Sequence, residues 1–110
     1  MDLTVRKIGD VSILDLRGPL RIGEAEQKFR AQVKALMDSG EKNLAVNLAA
    51  VPMVDSSGIG AMVRTHQSLK AVGGKFTLLA PTKIVRQTLK MVGLDRFLDI
   101  HADEADLLAS

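Results

Sequence analysis

Apolar positions recur with two different periods along this chain, and the switches between them mark its elements. Leu3-Thr4-Val5-Arg6-Lys7-Ile8 and Val11-Ser12-Ile13-Leu14-Asp15-Leu16 are rich in β-branched residues and flank Gly9-Asp10, a pattern that predicts a β-hairpin. Gly18-Pro19 ends its second strand. Ala25, Phe29, Val33, Leu36 and Met37 then fall on one stripe of a helix over residues 24–39, stopped by Gly40. Leu44-Ala45-Val46-Asn47-Leu48 reads as a third strand. A loop over residues 49–55 leads to a second helix over 57–72, with Ile59, Met62, Val63, His66 and Leu69 on one face and Gly73-Gly74 at its end. Lys75-Phe76-Thr77-Leu78-Leu79 is a fourth strand. Ala80-Pro81-Thr82 opens a third helix over 83–92, with Thr82 as N-cap and Gly93 as stop. Residues 97–100 suit a short edge strand, and 103–108 a last turn or two of helix.

A hairpin followed by strand–helix alternation implies an α/β fold. The expectation is one domain over residues 1–110, with a mixed sheet of four to five strands opened by the hairpin and packed by three to four helices. Val46, Leu48, Ile59, Val63, Leu78, Val85 and Leu89 are expected between sheet and helices. In such sheets sites lie beyond the carboxyl ends of parallel strands. That directs attention to the loop after the third strand, which ends in Asp55-Ser56-Ser57-Gly58.

Composition narrows the chemistry. The chain has 110 residues, 46% apolar and 25% charged, enough to bury a core without staples. With no cysteine there is no disulfide, iron–sulfur or thiolate zinc site, and His66 and His101 are the only imidazoles, so neither metal nor cofactor is expected. A net charge of +2 and three aromatic residues (Phe29, Phe76, Phe97) speak against a nucleic-acid binder. The N-terminus carries no charged-then-apolar leader, and the stretch from Leu44 to Val54, interrupted by Asn47 and Pro52, is too short to span a bilayer. The expectation is a cytoplasmic protein without membrane association.

Asp55-Ser56-Ser57-Gly58-Ile59-Gly60 sits at a strand-to-helix junction. A helix start offers unpaired N–H groups and the positive end of the macrodipole, a good place for phosphate. Gly58 and Gly60 have no side chain to obstruct an approaching backbone. The segment is compatible with phosphate binding, with phosphorylation, with a serine nucleophile, or simply with helix capping. A nucleophile lacks a base, because His66 falls on the apolar face of the helix, and the glycines of a hydrolase elbow are missing. Neither a phosphate loop nor a dinucleotide fingerprint is complete: Gly74-Lys75 is followed by Phe76, and Gly58-Ile59-Gly60 has no third glycine. Arg64, Lys70, Lys75, Lys83, Arg86, Lys90 and Arg96 make the second half basic, and Lys83, Arg86 and Lys90 line one face of the third helix. That face is read as solvated, with a docking stripe for an acidic partner as the alternative.

Val54-Asp55-Ser56-Ser57-Gly58-Ile59-Gly60 after an apolar strand, Gly73-Gly74-Lys75 into the next strand, Ala80-Pro81 before a basic helix and Val92-Gly93-Leu94-Asp95 after it occur in an order that resembles the STAS-domain anti-sigma factor antagonists of bacteria. The resemblance spans essentially the whole chain. It implies a non-enzymatic partner switch: the unphosphorylated protein binds a kinase-type anti-sigma factor and frees the sigma factor, and the kinase phosphorylates a serine to end the complex. A PP2C-like phosphatase restores the protein. By motif position the acceptor is Ser56, with Ser57 second. Asp55, Ser56, Ser57, Gly58, Ile59, Gly60 and Arg21 are then the partner-binding set of a protein that is a monomer when free. Arg21, after Gly18-Pro19-Leu20, stands where family members often carry an acidic residue. Two other readings are a STAS docking module of a lipid-transport or stressosome-like assembly, in which Ser56 is only an N-cap, and a small nucleotide-binding protein.

Overall fold

A computed structural model describes residues 1–107. Five strands form one sheet in sequence order: β1 (Asp2–Ile8), β2 (Val11–Arg17), β3 (Asn43–Ala50), β4 (Lys75–Leu79) and β5 (Asp99–His101). The hairpin pairs β1 and β2 antiparallel, and every later pair is parallel. Helices α1 (Glu24–Asp38), α2 (Ser56–Ala71) and α3 (Lys83–Met91) make the crossovers. The expected mixed α/β sheet is therefore present, with five strands. Two short 3-10 turns, Leu94–Arg96 and Glu104–Leu107, complete the elements. The edge strand lies one to two residues later than the spacing suggested, because Phe97 closes the preceding turn onto Leu94. Of the expected last helix only Glu104–Leu107 is described, as a 3-10 turn; Leu108 lies outside the described residues.

Consecutive parallel strands joined by right-handed crossovers place all three helices on one side of the sheet. One register row shows what they cover: Leu14, Val46, Leu78 and Ile100 stand side by side from β2 to β5, and the row ends at Val5, which is exposed on β1. Phe29 and Val33 of α1, Ala61, Met62 and Leu69 of α2, and Val85 and Leu89 of α3 pack onto this face in one core. The neighbouring row, Arg6, Ile13, Ala45, Thr77 and Asp99, looks the other way. There Ile13, Ala45 and Leu79 form a second small cluster with Ile8, Val11 and Leu107. Asp15 accepts from Arg6 (Nε to Oδ2, 2.7 Å) and from Asn47, and Arg6 also reaches Glu104. Arg6 holds the carboxyls of Asp15 and Glu104 below the usual carboxylate range.

Val46, Leu48, Leu78, Val85 and Leu89 are buried as expected. Ile59 and Val63 are only half-buried. Helix α2 is rotated relative to its largest residues, so its buried line is Gly58, Ala61, Met62, Thr65 and Leu69. Two local causes are visible. Gly58 lets the helix lie against the Leu20 main chain, and the Thr65 hydroxyl is satisfied within the helix by donating to the Ala61 carbonyl (2.8 Å).

Candidate functional site

The site is assembled by two loops at the carboxyl ends of β2 and β3. Leu20 and Val54 pair as an isolated parallel bridge, with Leu20 N–H donating to the Met53 carbonyl (3.0 Å) and Asp55 N–H to the Leu20 carbonyl (3.2 Å). Gly18 N–H donates to the Ala50 carbonyl (3.0 Å). These bonds extend the β2–β3 pairing outward and set the start of α2 against the loop before α1. Thr82, the N-cap of α3, adds a third element: its side chain accepts from Val85 N–H (3.2 Å), and its hydroxyl donates to the Val51 carbonyl (3.3 Å).

Asp55 is the N-cap of α2. Its backbone is extended, Oδ1 accepts from Gly58 N–H (3.0 Å), and Oδ2 accepts from Ile22 N–H (2.9 Å) across the two loops. The Ile22 bond first, and then the Gly58 bond, hold the Asp55 carboxyl below its ordinary range. Ser56 is thereby the first helical residue and is exposed, while Ser57 behind it is half-buried. The capping choice that the sequence left open among Asp55, Ser56 and Ser57 falls to Asp55, the helix starts one residue earlier than expected, and the Asp55 carboxylate already takes up an N–H of the helix end that was expected to be unpaired.

Gly58 and Gly60 serve different neighbours. A Cβ built on Gly58 would lie 2.5 Å from the Leu20 carbonyl oxygen and 2.7 Å from Val54 Cγ1, so this buried glycine is needed by the protein's own loop packing. At Gly60 the nearest group is the tip of Arg64, with Nη1 3.2 Å from the would-be Cβ. Ile59 is half-buried. Arg21 is exposed, and its carbonyl accepts from Glu26 N–H (3.2 Å) at the entry to α1. The structure thus gathers Asp55, Ser56, Ser57, Gly60 and the Arg21–Ile22 loop on one rim, with Gly58 beneath it.

The carboxylate beside Ser56, that of Asp55, is engaged by the Gly58 and Ile22 N–H groups. His66 is ten residues further along α2, about 15 Å of helix rise, and packs edge-on against Phe97 with ring centroids 4.8 Å apart. His101 lies on β5 beside Asp99 (3.1 Å). Among the described residues no group of three or more His, Cys, Asp or Glu could hold a metal ion, and no helix is long and apolar enough to cross a membrane.

Two features of the rim escaped the sequence reading. Ile22 is 74% exposed and Met53 37% exposed, one on each bridged loop. Single apolar residues in loops carry no periodicity, so nothing along the chain marks them. Glu26 is the other: a buried carboxylate on α1 within 2.5 Å of Arg30 Nε and 3.6 Å of Arg64 Nη2. Its signal was its place three residues before Phe29 and seven before Val33, on the buried stripe.

The family model for the STAS domain matches residues 2–107. The chain belongs to the STAS domain family. A candidate anti-sigma factor antagonist of Thermotoga neapolitana is 29% identical over 94 residues, 86% of this chain and 83% of that protein. Among solved structures, a candidate anti-sigma factor antagonist from Thermotoga maritima superposes with a TM-score of 0.91 at 26% identity, covering 97% of this chain and 92% of that one. The Bacillus cell fate determinant SpoIIAA in its phosphorylated form gives a TM-score of 0.75 at 22% identity over 96% of both chains, a likeness of fold. The anti-sigma factor antagonists of this STAS family are non-enzymatic regulators.

Proposed function

We propose that this STAS domain is an anti-sigma factor antagonist switched by phosphorylation of Ser56. Unphosphorylated, it binds a kinase-type anti-sigma factor and releases the sigma factor. The kinase transfers the γ-phosphoryl group of ATP to Ser56 Oγ; the hydroxyl proton is lost and ADP leaves. The complex then dissociates, and a PP2C-like phosphatase hydrolyses the phosphoserine.

The observation that carries this reading is the exposure of Ser56 at the first position of α2, beside a cap that does not depend on it. The Asp55 side chain caps the helix start and bonds the Ile22 loop without using Ser56. The Ser56 hydroxyl is therefore dispensable for the fold and available to a kinase, whereas Thr65, on the same helix, is buried. Exposed Ile22 and Met53 offer apolar contact beside it, as a protein-docking rim requires. Phosphorylation would add about −1.5 to −2 charge next to Asp55, which already occupies the helix end. The new group would stay hydrated, and a partner packed over the rim would have to desolvate it. That places the switch in binding and leaves the fold intact. The relatives named above as anti-sigma factor antagonists, and the existence of a phosphorylated form of SpoIIAA, support the reading.

The experiment is kinase-dependent phosphorylation by the kinase-type anti-sigma factor proposed as its partner, followed by mass spectrometry. Phosphate on Ser56, abolished by Ser56→Ala, is expected. Phosphate confined to Ser57 contradicts the assignment.

A further inference from the structure

Ser56, Gly60 and Arg64 follow one another at one-turn intervals along α2. Side chains on a helix lean towards its N-terminus, and Arg64 does so fully: its Nη1 lies 3.2 Å from where a Gly60 Cβ would be. The guanidinium thus already spans the turn between Arg64 and Gly60, and Gly60 leaves its path along the helix clear. Across the α1–α2 groove, Arg64 Nη2 is 3.6 Å from Glu26 Oε1, beyond hydrogen-bond distance. That same oxygen is engaged by Arg30 Nε at 2.5 Å. Glu26 has a side chain only 11% exposed, whereas that of Arg64 is 62% exposed. The buried carboxylate is ion-paired with Arg30, and Arg64 is an exposed cation on a loose tether, lying over the turn next to Ser56.

We propose that Arg64 is the counter-charge of phosphorylated Ser56, its guanidinium leaving Glu26 and pairing with the phosphate across Gly60, while Arg30 keeps Glu26 neutralised. This rests on Ser56 being the modified serine. The fork of an arginine matches phosphate oxygens, so the pair gains charge-assisted hydrogen bonds that the tether to Glu26 lacks. It draws the phosphate along the outer face of α2 and away from the Asp55 carboxylate. It also gives Gly60 a role that Gly58 does not share. The other charged groups around the rim are Asp55 on the cap, Arg21 and Glu24 at the entry to α1, and Glu26 and Arg30 beyond them. Asp55 opposes the second ionisation of the phosphate, and Arg64 favours it.

The test places phosphoserine at position 56 by genetic encoding, so that no kinase is needed, and follows its second ionisation by 31P NMR against pH. An unconstrained phosphoserine titrates near pH ~6. Arg64→Gln is expected to raise the midpoint by about half to one pH unit relative to the phosphoprotein that keeps Arg64. Gly60→Ala is expected to raise it in the same direction although the arginine is retained, because the added methyl stands in the guanidinium's path. Superimposable titrations of the three phosphoproteins overturn the proposal and leave Ser56 standing as the modified residue. Failure of the kinase to modify Ser56, in the separate assay above, overturns the switch whatever the titrations show.

Discussion

A methyl group added at Gly58 has nowhere to go. Its Cβ would stand 2.5 Å from the Leu20 carbonyl oxygen, 2.7 Å from Val54 Cγ1 and 2.9 Å from Leu20 Cγ. The first of these is a main-chain atom, fixed by the Asp55 N–H at 3.2 Å and by the Leu20–Val54 bridge. Alanine is intrinsically about 1 kcal/mol better than glycine inside a helix, which works in favour of the variant. Against that, overpacking of a tight interior costs about 1–3 kcal/mol, and loosening the Asp55–Leu20 hydrogen bond adds about 1 kcal/mol. The net expectation for Gly58→Ala is a loss of about 1–3 kcal/mol, or at least about 4 °C in Tm for a domain of this size. Gly60→Ala is the matched control: the only close group there is the movable tip of Arg64, so the helix preference should win and stability should hold or rise by up to about 1 kcal/mol. Urea unfolding followed by circular dichroism, with unchanged m-values, reads both. A Gly58→Ala protein as stable as the parent would refute the claim that Gly58 exists for the contact between α2 and the Leu20 loop.

Two further outcomes follow from the same structure. Asp55→Ala should lower stability at neutral pH; because the folded carboxyl titrates below its unfolded value near 3.8, its contribution is present above that pH and is lost as pH falls through the folded value, so parent and variant should converge in acid. Leu78 is fully buried in the helix-facing row, and Leu78→Ala should cost about 2–5 kcal/mol by the same urea assay, a loss under 1 kcal/mol arguing against that core.

The strands were legible because their two faces are so unlike. Leu14, Val46 and Leu78 face helices, while Asp15, Asn47 and Thr77 face the other way, and this alternation sets the register. Thr82 and Asp55 could be read as caps from residue type and position, but the second bond of the Asp55 carboxylate, from the Ile22 N–H of a loop 33 residues earlier, could not. The orientation of α2 was misread for a related reason. Periodicity weighs Ile59 and Val63 by size, but the helix seats on Gly58 and Thr65, one with no side chain and the other polar yet internally satisfied. The serine motif was visible as a motif. The rim around it was legible only in part: Met53 and Arg64 belong to the motif's own loop and helix, whereas Ile22 is brought to it by the β2–β3 crossover.

The central claim is that charge at Ser56 governs partner binding and not folding. Its most direct measurement is titration calorimetry of the unmodified protein, Ser56→Ala and Ser56→Asp against the kinase-type anti-sigma factor, alongside their melting temperatures. The unmodified protein and Ser56→Ala should bind alike, Ser56→Asp should lose about a hundredfold or more in affinity, equivalent to about 3 kcal/mol, and all three should melt together. Equal affinities for the unmodified protein and Ser56→Asp would contradict the account, as would a loss of binding matched by a loss of fold.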